Sequence, residues 1–140
     1  MNDLEHKVEA LMLHERKVNA RYVSPSIVIS DYAVKLVTQS RIITVFERDV
    51  LKGFIAFYSD ADKDYGYISQ LIISEDFRGI GLSKSLLNAS IKVMKSQRKE
   101  SCRLEVHREN LVAIKLYSNH GFERLEQACK GEMILMEKLL

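Results

Sequence analysis

One stretch constrains the chain more than any other: the apolar run Leu71-Ile72-Ile73, a short polar turn, then Arg78-Gly79-Ile80-Gly81-Leu82-Ser83 opening a long amphipathic segment. A strand that passes through a glycine turn into a helix demands a sheet behind it and a helix laid across that sheet. From Leu82 to Gln97, one apolar row holds Leu82, Leu86, Ala89 and Val93, and the next holds Leu87, Ile91 and Met94. So wide a stripe suits a helix resting on a sheet. Small residues let the backbone of the turn come close to a ligand, and the free N–H groups at a helix start attract oxyanions. Arg78 adds a positive charge at the rim, and a diphosphate is the natural guest. A tight turn with no ligand is the plain alternative. Two nucleotide readings fail on spacing. A dinucleotide fingerprint needs a third glycine where Lys84 stands, and a Walker loop ending at Lys84-Ser85 needs glycines where Arg78 and Ser83 stand.

The rest of the chain supplies the sheet. Residues 4–18 read as a helix with Leu4, Val8, Leu11 and Met12 on one face. The only proline, Pro25, breaks the chain before a second helix, which Ser30 or Asp31 can cap and which runs to about Gln39. The period then changes to two. Strands are expected at 41–47, 50–58 and 67–73, followed by the long helix at 82–97. A strand around 102–106, a helix over 110–119 and two final strands at 122–129 and 132–138 complete the order α-α-β-β-β-α-β-α-β-β. An antiparallel meander joined to a βαβ unit makes an α+β fold with a mixed, mainly antiparallel central sheet flanked by helices.

Composition narrows the function. The 140 residues suffice for one domain over 1–140, and 46% hydrophobic with 29% charged residues is an ordinary mixture. A formal net charge of +2 argues against nucleic acid. No run approaches the ~20 apolar residues of a membrane span. The N-terminus lacks the order of a signal peptide, so a cytoplasmic location with Cys102 and Cys129 as buried thiols is expected. Asp60, Asp62 and Asp64 alternate like metal ligands, but no glycine or closing glutamate follows at the calcium-loop offsets, and they read as a solvated hairpin tip. His6, His14 and His120 show no ligand spacing, and no metal is assigned.

Two motifs in order carry a family resemblance. The segment from Leu71 to Leu87 resembles motif A of the GNAT superfamily of acyl-CoA-dependent N-acyltransferases, with Arg78 and Gly81 matching its Arg/Gln-x-x-Gly-x-Gly/Ala pattern and Ser83 in place of the last small residue. Downstream, Asn110-x-x-Ala113-x-x-Leu116-Tyr117-x-x-x-Gly121-Phe122 is similar to motif B. The closing Met136-Glu137-Lys138 also looks like the family's last strand. The resemblance spans about residues 50–140.

That resemblance implies a sheet splayed at an acyl-CoA site and acetyl-CoA as cosubstrate. The donor would be held by Leu71, Ile72 and Ile73 along the pantetheine arm, by Arg78, Gly79, Ile80, Gly81, Leu82 and Ser83 at the pyrophosphate, and by Asn110 at the pantetheine or a water. Backbone amides near Ile72 and Ile73 would polarise the thioester carbonyl. Tyr117 is the candidate acid for the departing thiolate, as an ordinary phenol of pKa about 10; a core tyrosine is its bland alternative. Glu105 resembles the base of the ribosomal-protein N-terminal acetyltransferases, and a strand glutamate bridging to a neighbour is the alternative there. Gln70 cannot accept a proton and is expected to bind substrate. His107 is a weaker base candidate. The expected reaction is direct transfer of acetyl to a primary amine, with a small-molecule amine as the main partner. An acyl-CoA sensor and an enzyme acting on protein N-termini stay open, as does a homodimer.

Overall fold

The computed structural model describes residues 1–20, 22–126 and 131–140; Cys129 and the far end of the strand expected at 122–129 lie outside them. The elements follow the expected order: α1 (Asp3–Val18), α2 (Ile29–Gln39), β1 (Arg41–Glu47), β2 (Val50–Tyr58), β3 (Tyr65–Ile73), α3 (Leu82–Ser96), β4 (Ser101–His107), α4 (Leu111–Asn119), β5 (Glu123–Arg124) and β6 (Met133–Leu139). A short 3₁₀ turn, Glu75–Phe77, lies between β3 and the glycine turn. The six strands form one sheet in the order β1-β2-β3-β4-β6-β5. Every pairing is antiparallel except β3 with β4, which α3 joins as a crossover helix. This is the mixed α+β sheet expected from the sequence.

Period-two alternation divides the core between the two faces of the sheet. Ile55 and Phe57 of β2 pack with Leu86, Leu87, Ile91 and Met94 of α3 and with Ile114 and Tyr117 of α4. Phe54 and Ala56, one residue out of phase, pack with Val8, Leu11 and Met12 of α1 and Ala33 and Leu36 of α2. Helix α1 starts cleanly because the Asn2 side chain accepts the Glu5 N–H at 2.8 Å. Helix α2 starts one residue before Ser30, with Val28 as its cap and no side-chain cap bond. The Tyr32 N–H donates to Val28 O at 3.0 Å, and Ile29 is buried in the core. Burial of an apolar first-turn residue outweighs the capping preference of Ser30 and Asp31.

Strand β3 begins at Tyr65, two residues ahead of the expected start. Gly66, which reads as a turn residue, lies inside the strand opposite Cys102. A Cβ there would stand 2.4 Å from Met94 Sδ, so the glycine lets α3 press onto the sheet. The exposed hairpin tip at 59–64 is tied down by Lys99, whose ammonium donates to the carbonyls of Asp60 and Lys63. A lysine cation therefore sits on the backbone oxygens of the loop whose aspartates alternate like metal ligands.

One break in the sheet positions everything that follows. The β3–β4 ladder runs from Tyr65–Ser101 to Ile68–Leu104 and stops there. Strand β3 continues to Ile73 paired only with β2, while β4 continues to His107 paired only with β6. The β2–β3 register shifts between Ala56 and Phe57, leaving Ser69 as an extra residue where the strands part. The result is a wedge open at the C-terminal ends of two parallel strands.

Candidate active site

The wedge has one edge made of backbone. Ser74 N–H donates to Lys52 O at 2.7 Å, toward β2. Amides alternate sides along a strand, so the Ile72 N–H points to β2 while those of Leu71 and Ile73 point to the open edge. Of the two amides named from the sequence, Ile73 is the one turned toward an incoming ligand. Leu71, Ile72 and Ile73 line a slot of about 140 Å³, together with Arg78, Ser83, Asn110, Val112 and Tyr117.

The glycine turn closes the far end of this slot. Gly79 and Gly81 have φ of 82° and 84°, and a Cβ at either would meet nothing within 4 Å. These glycines answer a backbone requirement rather than crowding, and the space they leave is open. The first backbone bond of α3 is Ser85 N–H to Gly81 O at 3.1 Å, so the amides of Leu82, Ser83 and Lys84 have no acceptor within the helix. The first turn of α3 carries no acidic side chain. Free amides, the positive end of the helix and no competing carboxylate make an anion site.

Arg78 borders the slot, and its guanidinium is also engaged within the protein. Its guanidinium forms an ion pair with Glu15, a residue of α1 with no solvent exposure, and lies 4.7 Å from the centre of the Tyr22 ring. No hydrogen bond besides that ion pair reaches the Glu15 carboxylate among the described residues. Burial lowers the Arg78 pKa from its ordinary value, yet arginine stays charged at any working pH. His14 Nε2 stands 3.8 Å from Glu15 and 3.6 Å from Glu75, so His14, Glu15 and Glu75 gather three metal-type ligands that sequence spacing hid. The guanidinium already neutralises the only buried member, and the group reads as an ion-pair cluster.

A second, larger cavity of about 650 Å³ adjoins the slot and shares Tyr22, Leu71, Asn110, Ala113 and Tyr117 with it. Its other walls come from the α1–α2 connection (Ser24 to Ile27), from Tyr32, Tyr67 and Gln70, and from Glu105, His107 and Glu132. Among the described residues that line it there are two glutamates and no lysine or arginine. The loop on its rim is pinned by side chains. Arg16 donates to Ser24 O at 2.8 Å and to Ile27 O at 2.5 Å, and Gln70 Nε2 donates to Tyr22 O at 3.1 Å. Gln70 thus braces a cavity wall. The sequence carried no periodic signal for Glu15, Arg16 or Tyr22, because their partners lie in other elements.

The structure brings Tyr117 and Asn110 to this junction and places Glu105 on the wall of the larger cavity. Tyr117 is buried on α4, edge-on to Phe122 at 5.6 Å between ring centres, and it lines both slot and cavity. Burial pushes its hydroxyl well above the usual phenol range, which corrects the ordinary value assumed from sequence. Asn110 caps α4, its Oδ1 accepting the Ala113 N–H at 3.2 Å, and the residue borders both spaces. Glu105 is exposed and lines the cavity near Tyr67, whose pKa is raised by burial and then by this carboxylate. His107 has both ring nitrogens engaged. Nδ1 accepts the Glu109 N–H at 3.1 Å and Nε2 faces Glu132 at 3.2 Å, which leaves the neutral ring no free lone pair for a substrate proton.

A strand edge splayed beside a glycine turn, with a tyrosine at the junction, is the arrangement the two motifs implied. The model of the acetyltransferase (GNAT) family matches residues 10–122. The chain belongs to this family. Among curated GNAT relatives it is 34% identical over 62 residues to N-alpha-acetyltransferase 30 of Saccharomyces cerevisiae, covering 44% of this chain and 35% of that protein. It is 31% identical over 93 residues to spermidine N(1)-acetyltransferase of Thermoplasma acidophilum, covering 66% and 55%. Those alignments thus take in about a third of the first relative's length and a little more than half of the second's. The fold is that of the PaiA N-acetyltransferase of Thermoplasma acidophilum in complex with coenzyme A, with TM-score 0.75, 20% identity and coverage of 99% and 96%. It is also that of a chain of the NatC complex bound to Gag peptide and CoA, with TM-score 0.74, 21% identity and coverage of 100% and 92%.

Proposed function

We propose that this GNAT chain is an acetyl-CoA-dependent N-acetyltransferase that moves the acetyl group directly from the thioester to a primary amine of a small molecule. The observation that carries the reading is the shared wall: a narrow slot with a free strand edge and an anion turn opens into a larger cavity at Tyr117. The slot suits an extended pantetheine arm, which would add to β3 as a strand, with the pyrophosphate on the amides of residues 79–83. The Ile73 N–H is oriented to stabilise the oxyanion that develops on the thioester carbonyl. Holding amine and thioester on either side of one junction supplies much of the acceleration.

In this reading the amine nitrogen attacks the carbonyl carbon, a C–N bond forms, and the C–S bond breaks. Glu105 takes the proton lost by nitrogen, and Tyr117 gives one to the departing sulfur. Desolvation raises the Tyr117 pKa, which keeps the hydroxyl protonated until the thiolate departs. Two carboxylates and no lysine or arginine among the described lining residues suit an acceptor that arrives as an ammonium ion and gives one proton to solvent before the neutral amine attacks. A protein N-terminus is the second reading, favoured by the likeness to N-alpha-acetyltransferase 30. Acetyl-CoA offered with polyamines, amino sugars and short peptides tests both: activity on free amines alone supports the first reading, and activity on peptides alone replaces it with the second. Tyr117→Phe is expected to cut turnover while CoA affinity holds, and an unaltered rate would remove Tyr117 from the chemistry.

A further inference from the structure

The ion pair behind the glycine turn joins a fully buried Glu15 to a partly exposed Arg78. Glu15 and Arg16 are consecutive on α1 and serve two loops. Glu15 holds Arg78 of the phosphate turn, and Arg16 holds Ser24 and Ile27 of the acceptor loop. Arg78 reaches the same acceptor loop by stacking on Tyr22, whose carbonyl Gln70 also holds. Tyr22 in turn borders both the donor slot and the acceptor cavity. A guanidinium between a fully buried carboxylate and an aromatic face is poorly placed to follow a diphosphate into solvent, while the free amides of the turn already provide an anion site.

We propose that Glu15 and Arg78 are positioning residues for the acceptor: Glu15 holds the Arg78 guanidinium against Tyr22, and the pair fixes the wall that donor slot and acceptor cavity share. The diphosphate is then bound by backbone, and the arginine of the motif acts on the amine side of the reaction. This rests on the acyltransferase reading of the site, but its first test needs no turnover.

The full chain is compared with its Glu15→Gln, Arg78→Lys and Glu15→Gln/Arg78→Gln variants. CoA affinity is measured by calorimetry, and hydrogen exchange is followed over segment 22–28 and over β2 with CoA bound. Arg78→Lys keeps a charge for Glu15 and loses the planar stack, so it separates positioning from simple charge burial. The expected result is exchange at 22–28 faster by about 10-fold or more, β2 unchanged, and CoA affinity within about 3-fold. With any amine that proves active, its KM should rise by about 10-fold while that of acetyl-CoA moves by less than about 3-fold. CoA affinity lost by about 10-fold with segment 22–28 unchanged would make Arg78 a diphosphate ligand and overturn the proposal. Faster exchange in β2 as well as in the loop would reduce the pair to a fold-stabilising one and overturn it equally. Should no amine be acetylated, the function reading fails, and the exchange and CoA results still judge the pair.

Discussion

The two sides of the wedge are built from different materials. The donor side is backbone: a strand edge left unpaired after Ile68, two glycines with positive φ, and the first amides of α3. The acceptor side is side chains: Arg16 on two carbonyls, Gln70 on a third, and Arg78 on Tyr22, with Tyr67 and Glu105 in the wall. A backbone site presents the same groups whatever side chains surround it, so it suits a cosubstrate common to a family. A side-chain site changes with each substitution, so it suits whatever differs between members. The contrast predicts that variants on the two sides fail in different ways.

The largest effect should come from the junction. Tyr117→Phe is expected to lower kcat by about 10²–10⁴-fold while CoA binding, read by calorimetry, stays within about 2-fold. The volume is conserved, so a loss of CoA affinity would show that the hydroxyl builds the slot instead.

Next comes an asymmetry in stability within the ion pair. Arg78→Ala leaves a fully buried carboxylate with only the exposed His14 ring beside it and is expected to cost about 3 kcal/mol. Glu15→Ala leaves an arginine whose side chain is 34% exposed and still partly hydrated, so about 1–2 kcal/mol is expected. Urea unfolding midpoints measure both, and equal losses would mean that Glu15 is less isolated than its surroundings imply.

On the donor side, Gly81→Ala forces a Cβ into φ of 84° with no neighbour to clash, so about 1–2 kcal/mol of backbone strain is expected. CoA affinity should fall with it while hydrogen exchange at 22–28 is unchanged, the reverse of the pattern for Glu15→Gln.

This division also explains what the sequence could reveal. The glycine turn and the alternating strands are local patterns, and the order of elements followed from them, whereas the roles expected of Leu71 to Ile73, Asn110 and Tyr117 rested on the family resemblance. Glu15 and Tyr22 carry no local signature, because each matters through a partner far along the chain. Gly66 misled for the same reason: its neighbour Met94 arrives from α3, and only that contact shows the glycine to be a strand residue. The ordinary pKa assumed for Tyr117 failed because burial depends on packing that no spacing records.

A smaller effect lies in the core that both sides share. Burial pushes the Cys102 thiol up to about 12, and it holds Tyr67 and Tyr117 above the phenol range. The unfolded chain gives up these protons first, so stability is complete below about pH 9 and falls as pH rises toward 12. In Cys102→Ala the fall should begin nearer the tyrosine value of about 10. Thermal midpoints across this range measure the shift, and an unmoved onset would mean that Cys102 is not the first group to titrate.

The central claim is direct transfer between a backbone donor slot and a side-chain acceptor cavity. Its most direct test is the initial rate of thiol release from acetyl-CoA with both acetyl-CoA and an amine varied. Release should require the amine, match acetylated product one for one, and give intersecting double-reciprocal lines. CoA binding without release on any amine, or parallel lines from an acetylated enzyme, would contradict it.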